Sequence, residues 1–123
     1  MKNYKVFWTD EAALDLNDII DYISQDKLSA AVSVYKAIRS KCLSLKNNPE
    51  RYRIVPELLA LGISNYREIV HSPYRVIYKL SDFSVYIIAV VDSRRDFETF
   101  IYNRILRRKP PRCSQGNIRS YNS

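Results

Sequence analysis

Histidine, cysteine and glycine are nearly missing from this chain: its 123 residues hold one His, two Cys and two Gly. A structural zinc site needs four nitrogen or sulfur ligands, and His71, Cys42 and Cys113 cannot supply such a set. Two cysteines far apart make no disulfide framework, so a reducing cytoplasm is the expected compartment. Two glycines are too few for a Gly-rich phosphate loop. Nucleophile–base pairs are equally poor. Cys42 falls on the apolar stripe of a helix and reads as a buried thiol, and His71 precedes Ser72-Pro73 as a turn residue. No apolar run approaches the roughly 20 residues that span a bilayer, and the start, MKNYKVFW, lacks the apolar core of a secretory signal. Neither a metal, another cofactor nor a membrane is expected.

What remains is arginine, tyrosine and acid on a chain that is 46% hydrophobic, enough for one domain with a real core. The net charge of +7 is unevenly spread. Residues 107–123 hold Arg107, Arg108, Lys109, Arg112 and Arg119 with no acid, leaving only +2 for residues 1–106. Composition changes abruptly there, so 1–106 is expected as the domain and 107–123 as a basic, loosely attached tail. Within the domain, residues 1–26 carry six acids against two lysines, and 51–79 carry five bases against two acids. A basic side invites an anionic partner.

In chain order, Tyr4–Trp8 reads as a short strand. Thr9 is an N-cap, with Asp10 and Glu11 where the helix dipole favours negative charge. Ala13, Leu16, Ile19, Ile20 and Ile23 then recur at helical spacing to Ser24, with Asp15, Asp18 and Asp21 on the outer face. After Gln25-Asp26-Lys27-Leu28, Ser29 caps a second helix that Asn47-Asn48-Pro49 stops near Lys46. So short a connection makes an antiparallel helical hairpin. Glu50–Ser64 has no clear period and reads as a long loop, while Phe97–Leu106 has helical spacing.

The stretch from Asn65 to Asp96 carries the sheet. Tyr66–Val70, Tyr74–Leu80 and Val85–Asp92 are dense in Tyr, Val and Ile and are separated by hairpin-length breaks. If the first hairpin closes with Val70 opposite Tyr74, alternation places Arg67 and Arg75 on one side of the sheet and an apolar set on the other. The fold class is therefore α+β: an N-terminal strand, a helical hairpin, a three-stranded antiparallel meander and a short C-terminal helix. Arg67 and Arg75 have two readings. They bind an anion or a partner, in which case Arg75→Ala costs function more than stability, or they form salt bridges with Glu68, Glu57 or Asp92. Arg94-Arg95 likewise either binds or balances Asp92, Asp96 and Glu98.

Asn48-Pro49-Glu50-Arg51, Val55-Pro56-Glu57-Leu58, Tyr66-Arg67-Glu68-Ile69, Tyr74-Arg75-Val76-Ile77-Tyr78 and Arg94-Arg95-Asp96, in that order, resemble the RelE/ParE superfamily. These are toxins of bacterial type II toxin–antitoxin (plasmid stabilisation) systems, and the likeness runs from about Tyr4 to about Leu106. It implies a cognate antitoxin as partner and one of two activities. ParE-like members inhibit DNA gyrase by protein binding. RelE-like members are ribosome-dependent mRNA endonucleases, in which Arg or Lys stabilises the anion and a Tyr, His or Glu moves the proton. The Arg-Arg-Asp triplet and long hairpin match the first branch, although Asp92 stands where many ParE-like chains have His. Arg53, Arg67, Arg75, Arg94 and Arg95 are then the target- or antitoxin-binding candidates. In the nuclease alternative, Arg75 and Arg95 contact phosphate and Tyr102 is the acid/base. A third reading is a member of the fold that is not toxic and only binds.

Overall fold

The computed structural model describes residues 3–106, so the segment expected as a tail lies outside the described residues. Strand β1 (Lys5–Trp8) leads into α1 (Asp10–Ser24) and α2 (Leu28–Leu43), and a single turn of tighter helix (Ser44–Lys46) extends α2. A short α3 (Pro56–Leu59) precedes β2 (Tyr66–His71), β3 (Tyr74–Ser81) and β4 (Ser84–Asp92), and α4 (Phe97–Ile105) closes the domain. The sheet order is β1-β4-β3-β2, with β1 parallel to β4 and the meander antiparallel.

Thr9 caps α1 as expected, its hydroxyl oxygen accepting from the Ala12 amide at 3.1 Å. The second helix differs at its start. It begins at Leu28, with Lys27 in the cap position and no side-chain cap bond, so Ser29 lies inside the helix. The stretch expected as a loop holds a turn of tight helix (Pro49–Arg51) and α3, each opened by a proline in its first turn, where the missing amide costs nothing.

Both faces of the sheet are covered. Under the hairpin, Val6, Trp8, Ile69, Val76, Tyr78, Val85, Ile87 and Val90 meet Ala12, Leu16, Ile38 and Cys42. On the opposite face, Val55, Leu58, Phe97 and Ile101 of the α3 and α4 regions pack on Ile77, Ala89 and Val91. No open greasy face with outward guanidinium groups exists among the described residues, because α3 and α4 occupy it. The β2–β3 register is also one residue from the expected one. His71, not Val70, lies opposite Tyr74, so Arg67 pairs with Tyr78 and Arg75 with Val70. A one-residue slip reverses the facing of a strand. Arg67 therefore lies on the hairpin side and Arg75 on the α3/α4 side. The register is irregular between Ile77 and Tyr78, which face Ala89 and Ile87 and leave Ile88 as the extra residue of β4.

With four residues against nine, β1 is too short to cover the edge of β4. Thr9 continues the pairing by donating its amide and its hydroxyl to the Ile87 carbonyl. Past that point a side-chain pair replaces the strand. Asp15 Oδ2 accepts from the Val90 amide at 3.0 Å, and Arg104 Nη1 donates to the Ile88 carbonyl at 2.8 Å. The two side chains bind each other at 2.9 and 3.1 Å. A strand edge that would otherwise offer bare backbone groups is thereby closed.

Candidate functional site

Arg75 sits in the middle of β3, facing the α3/α4 layer, and only 10% of its side chain is exposed. Its guanidinium Nη1 and Nη2 donate to the two Glu57 carboxylate oxygens at 3.1 and 2.8 Å, and Nε donates to Glu68 Oε1 at 2.7 Å. Phe97 covers the remaining face, with the guanidinium carbon 3.6 Å from the ring centroid. Burial pulls the guanidinium pKa down, but the hydrogen bonds and charges of Glu57 and Glu68 outweigh it, so Arg75 stays above its ordinary value. Glu57 in turn is held below the usual carboxylate range, chiefly by its hydrogen bond from Arg75. Glu68 is fully buried, and its second oxygen accepts from Arg53 Nε at 2.6 Å. Two carboxylates and two guanidiniums thus form one chain of ion pairs, which fixes α3 to the sheet. For Arg75 the salt-bridge reading with Glu68 and Glu57 is the one the geometry realises.

Arg67 is half-buried and also turned to the backbone, its Nη1 donating to the Tyr52 and Glu50 carbonyls at 2.5 and 3.2 Å. The expectation that Arg67 and Arg75 stand together, outward, on one face is therefore corrected. Register separates them, and each is consumed by groups of its own chain.

The other three candidates remain exposed. Arg53 has 60% of its side chain in solvent despite its bond to Glu68. Arg94, 66% exposed, grips Asp92 with Nε and Nη2 at 2.9 and 2.6 Å, which lowers the Asp92 pKa. Arg95 is exposed, and among the described residues its guanidinium makes no hydrogen bond or ion pair. Asp96 does not balance it; its carboxylate caps α4 by accepting from the Thr99 amide and hydroxyl at 3.2 and 2.8 Å.

Arg94 and Arg95 stand on the rim of a cleft of about 580 Å³ between α1, the C-terminal end of β4 and α4. Tyr22, Tyr74 and Phe100 give it aromatic walls, and Asp15, Asp18 and Asp92 give it acid. Tyr22 is 73% exposed, so the cleft opens on an apolar as well as a charged surface.

Tyr102, the proton-transfer candidate, lies on α4. Its phenol pKa is raised, first by desolvation and then by the charges of Glu98 and Glu57. A phenol in that setting is harder to deprotonate and makes a poor base near neutrality. His71 closes β2 with its Nδ1 3.1 Å from Lys41 Nζ, and its pKa is lowered by burial and then by that charge. Among the described residues no group of His, Cys, Asp and Glu could hold a metal ion, and no helix is long and apolar enough to cross a membrane.

The strongest feature that the sequence concealed is the Asp15–Arg104 pair. Asp15 has the helical position of an outer-face acid, and nothing local marks it as a cap for a strand 75 residues away.

Known proteins resemble this arrangement. Among solved structures, the chromosomal ParDE toxin–antitoxin system from P. aeruginosa matches with a TM-score of 0.57 at 18% identity, covering 72% of this chain and 95% of that one. The RelBE2 toxin–antitoxin complex from Mycobacterium tuberculosis matches with a TM-score of 0.50 at 19% identity, covering 75% and 93%. Both likenesses concern the fold. No curated protein sequence matches the chain. Residues 6–97 match the model of the ParE toxin of type II toxin–antitoxin (parDE) systems, and the chain therefore belongs to that family, within the RelE/ParE superfamily.

Proposed function

We propose that this ParE-family toxin acts in the cytoplasm by binding and inhibiting DNA gyrase, without catalysis, and is neutralised by a cognate antitoxin. The observation that carries the reading is the state of Arg75. A nuclease of the RelE type needs a strand arginine free to stabilise a developing phosphate charge, aimed at where that charge forms. Here Glu57 and Glu68 fill the guanidinium's hydrogen-bonding fork and Phe97 covers its face. A phosphate would have to displace two carboxylates, one of them fully buried. Tyr102, with its raised pKa, offers no compensating base. Binding then falls to the exposed Arg53, Arg94 and Arg95, where acidic groups of gyrase or antitoxin find accessible partners. Both solved relatives are toxin–antitoxin complexes, which supports an antitoxin as one such partner.

Primer extension on mRNA from cells producing the toxin without its antitoxin tests the choice of branch. Growth arrest with uncut transcripts is expected. Cuts at fixed codon positions on translating ribosomes would restore the nuclease reading, and harmless overproduction would favour a member that only binds.

A further inference from the structure

The helical hairpin is electrically split at its turn. From Asp10 to Asp26 there are six acids and no base; from Lys27 to Lys46 there are five bases and no acid. Two antiparallel helices of opposite charge could simply attract each other sideways, yet Asp18, Asp21 and Asp26 on one side and Lys27 and Lys36 on the other are exposed and form no ion pair among the described residues. Their side chains stand in solvent. An apolar stripe accompanies them on α2: Leu28, Val32, Tyr35 and Leu43, spaced by four, three and eight residues, are 69%, 43%, 39% and 42% exposed. Leu14 on α1 adds a side chain 61% exposed. A helix presenting apolar residues at such spacing normally covers them with something.

The charge split identifies the cover. We propose that the hairpin is a self-association surface, occupied by the hairpin of a second copy of this chain. A two-fold axis along the hairpin's length sets α1 of one copy over α2 of the other and repeats the contact with the roles exchanged, as an isologous interface requires. Acid meets base twice, whereas two like-charged helices face to face would repel. The same axis preserves distance from the turn. Asp18 lies eight residues before Asp26 and Lys36 nine after Lys27, about 12 and 14 Å along their helices at about 1.5 Å per residue. Asp18 of each copy therefore comes level with Lys36 of the other. The exposed Ser29, Ser33 and Ser40 on α2 leave room for close approach. Asp18 also lines the cleft that Arg94 and Arg95 border, whereas Lys36 and the α2 stripe do not, so the Lys36→Glu arm tests self-association separately from the gyrase reading.

Sedimentation velocity of the purified full-length chain, with a charge-swap cycle, tests this. A dimer is expected at micromolar concentrations and low salt, weakening at least tenfold as the Debye length shrinks to about 3 Å near 1 M salt. Asp18→Lys alone and Lys36→Glu alone should each weaken it at least tenfold by placing like charges together, and Asp18→Lys with Lys36→Glu should restore it. Both side chains are exposed, and unchanged helical circular dichroism confirms that the variants fold. A chain that stays monomeric near 100 μM at low salt overturns the proposal. So does a dimer indifferent to either swap, or a double variant no tighter than the singles. A monomer whose Lys36→Glu or Val32→Glu variant loses only the antitoxin would assign the stripe to that partner instead, and would equally overturn self-association.

Discussion

Replacing Arg75 with alanine is expected to lower the melting temperature by roughly 10–20 °C. Removing one partner of a buried ion pair typically costs about 3–5 kcal/mol, because the remaining charge stays desolvated, and 1 kcal/mol shifts a domain of this size by about 4 °C. Here the change strands Glu68, whose side chain is fully buried, with only the exposed Arg53 to answer it. It also uncovers Phe97 and frees Glu57 from its bidentate partner. Total stability of such a domain is about 5–15 kcal/mol, so the loss is a large share. Arg75→Met combined with Glu68→Gln should recover much of it, since no buried charge is then unpaired. Differential scanning calorimetry reads the result, and a shift under about 2 °C would mean that Arg75 does not hold the fold. The acid limb follows the same network. Glu57 has a lowered folded pKa, so its contribution is full above the ordinary value of 4.5 and drains as pH falls through the lowered one.

Arg104→Ala should have the second-largest effect, about 2–4 kcal/mol, with a pH signature of its own. Arg104 and Asp15 are each 14% exposed, and together they close the edge of β4. Without Arg104 the Ile88 carbonyl loses its donor and Asp15 is left half-buried beside the sheet. Asp15 already has a raised pKa, because burial outweighs the hydrogen bond and charge of Arg104 that lower it. The substitution removes that opposition and raises it further. A carboxylate whose folded pKa exceeds its unfolded one stabilises the protein below the unfolded value, and loses that contribution as pH rises through the folded one. The variant should therefore be hurt most near neutrality and approach the parent as pH falls toward 4. Urea unfolding at pH 7 and pH 4.5 measures this, and a destabilisation equal at both would contradict the edge-capping role.

The hairpin, the meander and the closing helix were legible in the sequence because each rests on a local rule. Leu16, Ile19, Ile20 and Ile23 fall at helical spacing behind a Thr9 cap, and Tyr, Val and Ile crowd the strands between short turns. What failed depended on one residue of register. Closing the turn at Val70 or at His71 satisfies the same apolar pattern nearly as well, because both sides of β3 are buried from Tyr74 to Tyr78. Two-sided burial erases the polar/apolar alternation that fixes register. The partners of Arg75 were available as candidates, Glu57 and Glu68 among them, but only the register decides that the arginine turns toward α3. The Asp15–Arg104 pair was beyond reach altogether, since it exists to make good the shortness of β1 at a site distant from both residues.

On the function proposed above, recognition falls to the exposed arginines, and inhibition of purified gyrase supercoiling tests it most directly. The parent protein should block supercoiling. The double variant Arg94→Ala/Arg95→Ala should lose at least tenfold in potency while keeping its melting temperature, since among the described residues the Arg95 side chain binds nothing and the largely exposed Arg94 side chain binds only Asp92. Supercoiling untouched by the parent, or a double variant as potent as the parent, would contradict recognition through these side chains.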